Sequence, residues 1–174
     1  MLLRPVAPGD RDDLFALEQD PEVMRFLNGG KPTPADGIDP AADFLMPRGG
    51  EAGIWTAVEK SSGAFVGWFS LYDSGGGVAE LGYRLKRTKW GQGYGTEGAK
   101  RLIVFGFSQL GLARIVAITM AVNAASRRVM ENAGLAYVRT SYFDWPDPLP
   151  GAEHGDVEYA ITRESWGGAG IGGR

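Results

Sequence analysis

Lys89-Trp90-Gly91-Gln92-Gly93-Tyr94-Gly95-Thr96-Glu97-Gly98 places four glycines within eight residues. Ala99, Leu102, Ile103, Gly106 and Leu110 follow at helical spacing up to Gly111. The cluster therefore sits at the mouth of a helix of about four turns. A helix N-terminus presents unpaired backbone N–H groups and a partial positive charge, and glycine lets that backbone approach an anion closely. A turn that merely needs positive φ would explain one or two glycines. Four leading straight from a strand into a helix favour an anion site. A P-loop is excluded, because the only Lys of this stretch, Lys89, is followed by Trp90 and not by Ser or Thr. Gly93-Tyr94-Gly95-Thr96-Glu97-Gly98 matches G-x-G-x-x-G literally. A dinucleotide site, however, also needs an acidic residue about 20 positions on, and none occurs from Gly98 through Met130.

Upstream of the cluster, Ile54 to Glu59, Phe65 to Tyr72 and Val78 to Leu85 are strand-like runs separated by Ser61-Ser62-Gly63 and by Asp73-Ser74-Gly75-Gly76-Gly77. This is an antiparallel meander rather than the parallel unit of a dinucleotide fold. Before it, Leu2 to Val6 reads as a strand. A helix opens at Pro8-Gly9-Asp10 and carries Leu14, Phe15 and Leu17, and a second runs from Pro21 with Val23, Met24, Phe26 and Leu27. Residues 29–50 are expected to form a loop that can move, with a helical turn or two around Ala41 to Leu45. After the long helix come the strand Arg114 to Met120, the helix Asn123 to Ala133 closed by Gly134, and the strands Leu135 to Phe143 and Val157 to Ile161. A Pro-rich link, Asp144 to Gly151, joins the last two. The layout is mixed α/β, and residues 1–166 are expected to be a single domain, with 167–174 a flexible Gly-rich tail.

The 174 residues are 44% hydrophobic and 22% charged, the composition of a globular domain with an excess of glycine, 27 in all. A net charge of −3 argues against a dedicated nucleic-acid binder. With no cysteine and one histidine, His154, there is no thiolate nucleophile, disulfide framework or Cys- or His-pair metal site, and no metal is expected. A serine-hydrolase reading would rest on His154 alone and lacks a G-x-S-x-G elbow. Neither a signal peptide nor a run of about 20 apolar residues is apparent, so the expectation is a cytoplasmic chain with no membrane partner.

Three segments in order, Ala79-Glu80-Leu81-Gly82-Tyr83-Arg84-Leu85, then Trp90 to Gly98, then Asn123-Ala124-Ala125-Ser126-Arg127-Arg128-Val129-Met130-Glu131-Asn132-Ala133-Gly134-Leu135, give the sequence its resemblance to a known family. Over nearly its whole length it resembles the GNAT superfamily of acetyl-CoA-dependent N-acetyltransferases, in the branch of the RimJ/RimL-like ribosomal-protein N-acetylases. The resemblance implies a GNAT fold, a central, mostly antiparallel sheet with a splayed strand pair flanked by helices. The superfamily motif is usually [RQ]-x-x-G-x-[GA]. Alignment on Gly93 and Gly95 puts Trp90 in its first position, as is typical of the W-G-x-G-Y branch. The main-chain amides of Gln92, Gly93, Tyr94, Gly95 and Thr96, within the loop opened by Trp90 and Gly91, would then hold the pyrophosphate of acetyl-CoA. Tyr83, Arg84 and Leu85 would pair with the pantetheine arm as if with an added strand. Lys86, Arg87 and Lys89, or Arg127 and Arg128, would meet the remaining phosphate charge or lie solvated. Asn123 corresponds to a cofactor-contacting asparagine and would equally be an ordinary helix cap.

Acetyl transfer to nitrogen needs a neutral amine, a stabilised oxyanion and a leaving thiolate. Many superfamily members protonate that thiolate with a tyrosine that falls at Met130 here, and methionine cannot act so. In the RimL branch the motif serine, here Ser126, is the proposed acid, with Tyr83 or Tyr142 as substitutes. The plain alternative is that Ser126 only hydrogen-bonds backbone in the first turn of its helix. Glu80 is the candidate base. Ala79, Leu81, Tyr83 and Leu85 alternate onto one strand face, leaving Glu80 and Arg84 on the other, where Glu80 would act through water or merely partner a cation on a wet face. The oxyanion would be held by a strand N–H, that of Tyr83.

The resemblance puts the acceptor pocket at Met24 to Phe44 and Phe143 to Asp156. The second stretch offers Asp144, Asp147, Glu153 and Asp156 with Trp145 and His154 to a cationic amine, or is simply a solvated loop. Two functions follow. One is acetyl transfer from acetyl-CoA to a primary amine, on a peptide N-terminus or small molecule, by direct attack in a ternary complex. The other is a degenerate domain that binds CoA as a sensing or interaction module. A homodimer is left open.

Overall fold

The computed structural model describes residues 1–27, 31–32 and 52–169. Seven strands, β1 (Leu2–Pro5), β2 (Ile54–Val58), β3 (Phe65–Gly75), β4 (Val78–Leu85), β5 (Arg114–Met120), β6 (Ala136–Ser141) and β7 (Asp156–Thr162), hydrogen-bond in the order β1-β2-β3-β4-β5-β7-β6. Helices α1 (Arg11–Leu17), α2 (Pro21–Met24), α3 (Tyr94–Ser108), α4 (Ala124–Ala133) and α5 (Arg163–Ala169) flank the sheet. The mixed, mostly antiparallel sheet expected from sequence is present. The expected moving loop and helical turn at 41–45 lie outside the described residues, apart from Lys31 and Pro32. The chain divides into two compact units, Met1–Ser70 with Tyr83–Gly95 and Leu71–Gly82 with Thr96–Arg174.

In the first unit α1 lays Leu14 and Leu17 against Val6, Ile54, Phe65 and Trp68. Asp10 fixes the start of α1. Its carboxylate accepts from Arg4 at 2.5 and 2.8 Å, from Thr56 at 2.7 Å and from the Ala7 N–H at 2.9 Å, and the Arg4 hydrogen bond above all holds its pKa down to about 2. Helix α2 is shorter than its apolar residues suggest and ends at Met24; Asp20 caps it through the Glu22 N–H at 3.0 Å. Strand β3 is buried from Phe65 to Leu71, on both faces. It approaches β4 so closely that a Cβ on Gly67 would lie 2.1 Å from the Arg84 carbonyl oxygen and 2.7 Å from Leu85 Cα, so only glycine fits there.

In the second unit β4 and β5 are parallel, with Val78 opposite Arg114, Ala79 opposite Ile115 and Glu80 opposite Val116. The crossover that parallel pairing demands is α3. A Cβ on Gly106 of α3 would meet Ile115 at 2.9 Å, Leu112 at 3.0 Å and Leu71 at 3.3 Å, so this glycine lets the helix lie close on its strands. Strand β5 pairs antiparallel with β7 from Arg114–Thr162 to Met120–Asp156, and β7 with β6. Helix α5 takes in the first residues of the segment expected to be a tail. Thr162 Oγ1 accepts from the Ser165 N–H at 3.2 Å, and the Trp166 ring lies 5.3 Å from Phe107. Residues 170–174 lie outside the described part.

Candidate active site

The glycine-rich stretch begins where β4 ends. Lys86 donates its N–H to the Val66 carbonyl at 2.9 Å, tying the end of β4 to β3. Main-chain groups alternate sides along a strand, so those of Arg84 and Lys86 turn toward β3 and those of Tyr83 and Leu85 turn away from it. A single turn of 3-10 helix, Arg87–Lys89, follows. Gly91 and Gly93 then take φ of +71° and +83°, and α3 begins at Tyr94. Among the described residues, chain neighbours aside, no atom lies within 4 Å of a Cβ built on either glycine. Their requirement is therefore conformational, a left-handed backbone that aims the following amides, and not a lack of space. The side chains around them are held inside the unit. The Trp90 indole N–H donates to the Leu85 carbonyl at 2.8 Å, and Gln92 Nε2 to the Thr88 carbonyl at 2.8 Å. Glu59 accepts from Lys89 at 2.6 Å, Ser62 at 2.6 Å and Tyr94 at 3.0 Å, and in that order these bonds hold its pKa down to about 2.

The cations read as phosphate partners divide accordingly. Lys89 is paired with Glu59, Arg87 with Asp20 at 3.3 Å, and Lys86 lies 5.8 Å from the centre of the Phe65 ring. Arg127 donates to the Tyr159 hydroxyl at 3.2 Å and the Ala121 carbonyl at 3.1 Å. Of this set, Arg128 is the exposed one without a partner among the described residues.

Arg84 does not lie on the wet strand face that is the alternative reading of Glu80. Its side chain is 7% exposed, ion-paired with the fully buried Glu18 at the C-terminal end of α1, and its guanidinium lies 5.2 Å from the centre of the Trp68 ring. Its side chain does not serve the strand-like pairing assigned to it, and its main-chain groups turn toward β3, so the groups that turn away from β3 are those of Tyr83 and Leu85 on either side of it. Tyr83 is half-buried, its ring 5.9 Å from Phe69.

In the second unit Glu80 is half-buried, between Ala79 and Leu81, which are buried. Burial raises its carboxyl above the ordinary carboxylate value. Asn123 caps α4, its Oδ1 accepting from the Ser126 N–H at 3.2 Å while its Nδ2 donates to Thr119 on β5 at 3.1 Å. The helix is anchored again through the buried Tyr159, whose hydroxyl donates to Glu131 at 2.8 Å. Together these fix where Ser126 stands. Replacing Asn123 by Ala is expected to cost about 1 kcal/mol in chemical denaturation; a loss near zero would mean that the cap carries no stability. Met130 is buried in the core.

The residues of the Phe143–Asp156 stretch are differently placed. Asp156 starts β7, half-buried, with its carboxyl raised by burial, whereas Glu153 and His154 are exposed 3.6 Å apart, and Trp145 pairs with Phe143 at 5.6 Å. Among the described residues no group of three His, Asp or Glu could hold a metal ion, and no helix is long and apolar enough to cross a membrane.

The acetyltransferase (GNAT) domain family model matches residues 1–136, which include β4, the glycine loop and α4. The chain belongs to the GNAT acetyltransferase family. Within reach of this GNAT chain by sequence is the FsC-acetyl coenzyme A-N(2)-transacetylase of Aspergillus fumigatus, 36% identical over 174 residues that cover 94% of this chain and 74% of the relative. Two solved structures share the fold. A GNAT-family acetyltransferase from Bacillus anthracis is 22% identical with a TM-score of 0.74, over 94% of this chain and 95% of the other. A spermidine N-acetyltransferase from Vibrio cholerae, in complex with CoA and spermine, is 14% identical with a TM-score of 0.75, over 95% and 96%. GNAT acetyltransferases use acetyl-CoA.

Proposed function

We propose that this protein, with residues 1–166 as one catalytic domain, transfers an acetyl group from acetyl-CoA to a primary amine, and that it lies in the RimJ/RimL-like branch. The observation that carries this is the loop of left-handed Gly91 and Gly93 opening α3 directly after β4, in a GNAT chain. The amides of Gln92 to Thr96 bind the pyrophosphate, with Trp90 and Gly91 shaping the approach, and Arg128 meets further phosphate charge. The main chain of Tyr83, Arg84 and Leu85 lies along the pantetheine arm. Acetyl-CoA supplies the thioester carbonyl. Glu80 takes a proton from the acceptor ammonium through water, the neutral amine attacks the thioester carbonyl to form the C–N bond, and as the C–S bond breaks the nitrogen's surplus proton passes to the thiolate, so that CoA leaves as the thiol. The Tyr83 N–H supports the oxyanion, and the Ser126 hydroxyl donates a hydrogen bond to the departing thiolate.

For the acceptor, the A. fumigatus relative is named for acetylation at N(2) of FsC. We assign this chain an amine of α-amine type, on a small molecule or a peptide end. Such an amine has a reference pKa near 7.7–8.0 against about 10.4 for lysine, so a large fraction is neutral near pH 7.5 and a single carboxylate suffices as base.

Acetyl-CoA at a hundred times its Kd is expected to stabilise the protein by about 2.7 kcal/mol, a Tm rise of roughly 5–10 °C. No rise at any concentration would end the assignment. Thiol release should then appear with α-amines such as amino-acid amides and short peptides. Stabilisation without release from any amine would leave the CoA-binding module.

A further inference from the structure

Glu59, at the end of β2, belongs to none of the motifs, yet it grips the glycine loop from both sides. Lys89 stands just before Trp90 and Gly91, and Tyr94 just after Gly93. Glu59 Oε1 accepts from both, at 2.6 Å and 3.0 Å, while Oε2 accepts from Ser62 at 2.6 Å. The carboxylate itself is fixed at its base, because the Glu59 N–H donates to the Ala64 carbonyl and its carbonyl accepts from the Gly63 N–H, both at 2.9 Å. Among the described residues nothing beyond the chain neighbours packs within 4 Å of where a Cβ on Gly91 or Gly93 would be. A stretch with two uncrowded glycines loses much conformational freedom on binding an anion unless its ends are already set. One carboxylate oxygen bonded to both ends sets them.

We infer that Glu59 is a positioning residue for the pyrophosphate-binding loop, holding the Lys89–Tyr94 segment in its binding shape before acetyl-CoA arrives. This rests on the reading that the loop binds the pyrophosphate. The sign of the effect separates positioning from charge. As a negative group near an anion site, Glu59 would weaken binding by repulsion, and it also ties up the Lys89 ammonium. Removing it would tighten acetyl-CoA if charge dominated. As a latch, its removal weakens acetyl-CoA through the cost of ordering the loop.

Calorimetric titration of the whole chain tests this with two donors, acetyl-CoA and S-acetyl-pantetheine, which lacks the pyrophosphate. Wild-type protein that binds neither overturns the cofactor reading itself, before any variant is made. Given wild-type binding, Glu59→Ala is expected to weaken acetyl-CoA about tenfold, leave S-acetyl-pantetheine within twofold, and raise the KM for acetyl-CoA with kcat little changed. Tyr94→Phe, which deletes one hydroxyl and leaves the fold intact, should weaken acetyl-CoA several-fold with the same donor selectivity. Unchanged or tighter acetyl-CoA binding in either variant overturns the inference, and so does an equal loss for both donors.

Discussion

Glu80→Gln is expected to lower kcat at neutral pH by about a hundredfold or more, the range for loss of a general base, while leaving acetyl-CoA binding unchanged and making the protein more stable. The two effects have one cause. Burial holds the Glu80 carboxyl above the ordinary carboxylate value. In the unfolded chain it titrates near 4.3. As pH rises past that point the unfolded chain releases a proton that the native protein still holds, so native stability falls through the window between the unfolded and the raised folded value. Above that window the penalty is fully present. Glutamine carries no such penalty, so the variant should show a higher Tm than wild type at neutral pH, and the difference should vanish in acid below the unfolded value. The same raised carboxyl places the base closer to working pH. In wild type, kcat/KM should rise with pH along one limb set by Glu80 and another set by the acceptor amine; in Glu80→Gln only the amine limb should remain. A variant with near wild-type kcat and both limbs intact would remove Glu80 from the chemistry.

What could be read from sequence was whatever depends on local spacing. The alternation of Ala79 and Leu81 in β4, the helical period from Ala99 to Gly106, and Asn123 and Gly134 at the ends of α4 are all visible within a few residues, and each stands where that spacing puts it, whereas Leu110, read as the last of that period, lies exposed beyond the end of α3 at Ser108. Helix α5 was hidden because Gly167, Gly168 and Gly170 dominate the composition, although Thr162 and Ser165 three apart are a cap signal. The long-range polar pairs carried no local mark. Glu59 reaches Lys89 and Tyr94 across 30 and 35 positions, and Glu18 reaches Arg84 across 66. Period two correctly set Arg84 apart from Leu85, but it cannot say whether a strand face is wet, since that depends on α1 lying over it. For the same reason Lys89 looked available to phosphate until its partner was seen.

Glu18 is the place where the fold is most exposed to a single substitution. It is fully buried and Arg84 nearly so, and the Arg84 guanidinium is also held over the Trp68 ring. A carboxylate out of water is tolerable only beside its counter-charge, and deleting one partner strands the other. Glu18→Gln is therefore expected to cost about 3–5 kcal/mol, a Tm fall of roughly 6–20 °C, far beyond the 0–1 kcal/mol of a surface pair such as Arg101–Glu97. Arg84→Met should cost a similar amount by stranding Glu18. The double variant should recover much of either loss, because neutral side chains of like size leave no charge unpaired. The pair also joins the end of α1 to the end of β4, so the position of the Tyr83 and Leu85 main chain depends on it. Acetyl-CoA binding should accordingly weaken in both single variants, measured well below their Tm, and improve again in the double one. Single variants that lose less than 1 kcal/mol would mean that water reaches the pair. Losses that simply add in the double variant would mean that Glu18 and Arg84 stabilise the fold independently. Recovery of stability without recovery of acetyl-CoA binding would assign the Arg84 side chain a direct part in the donor site.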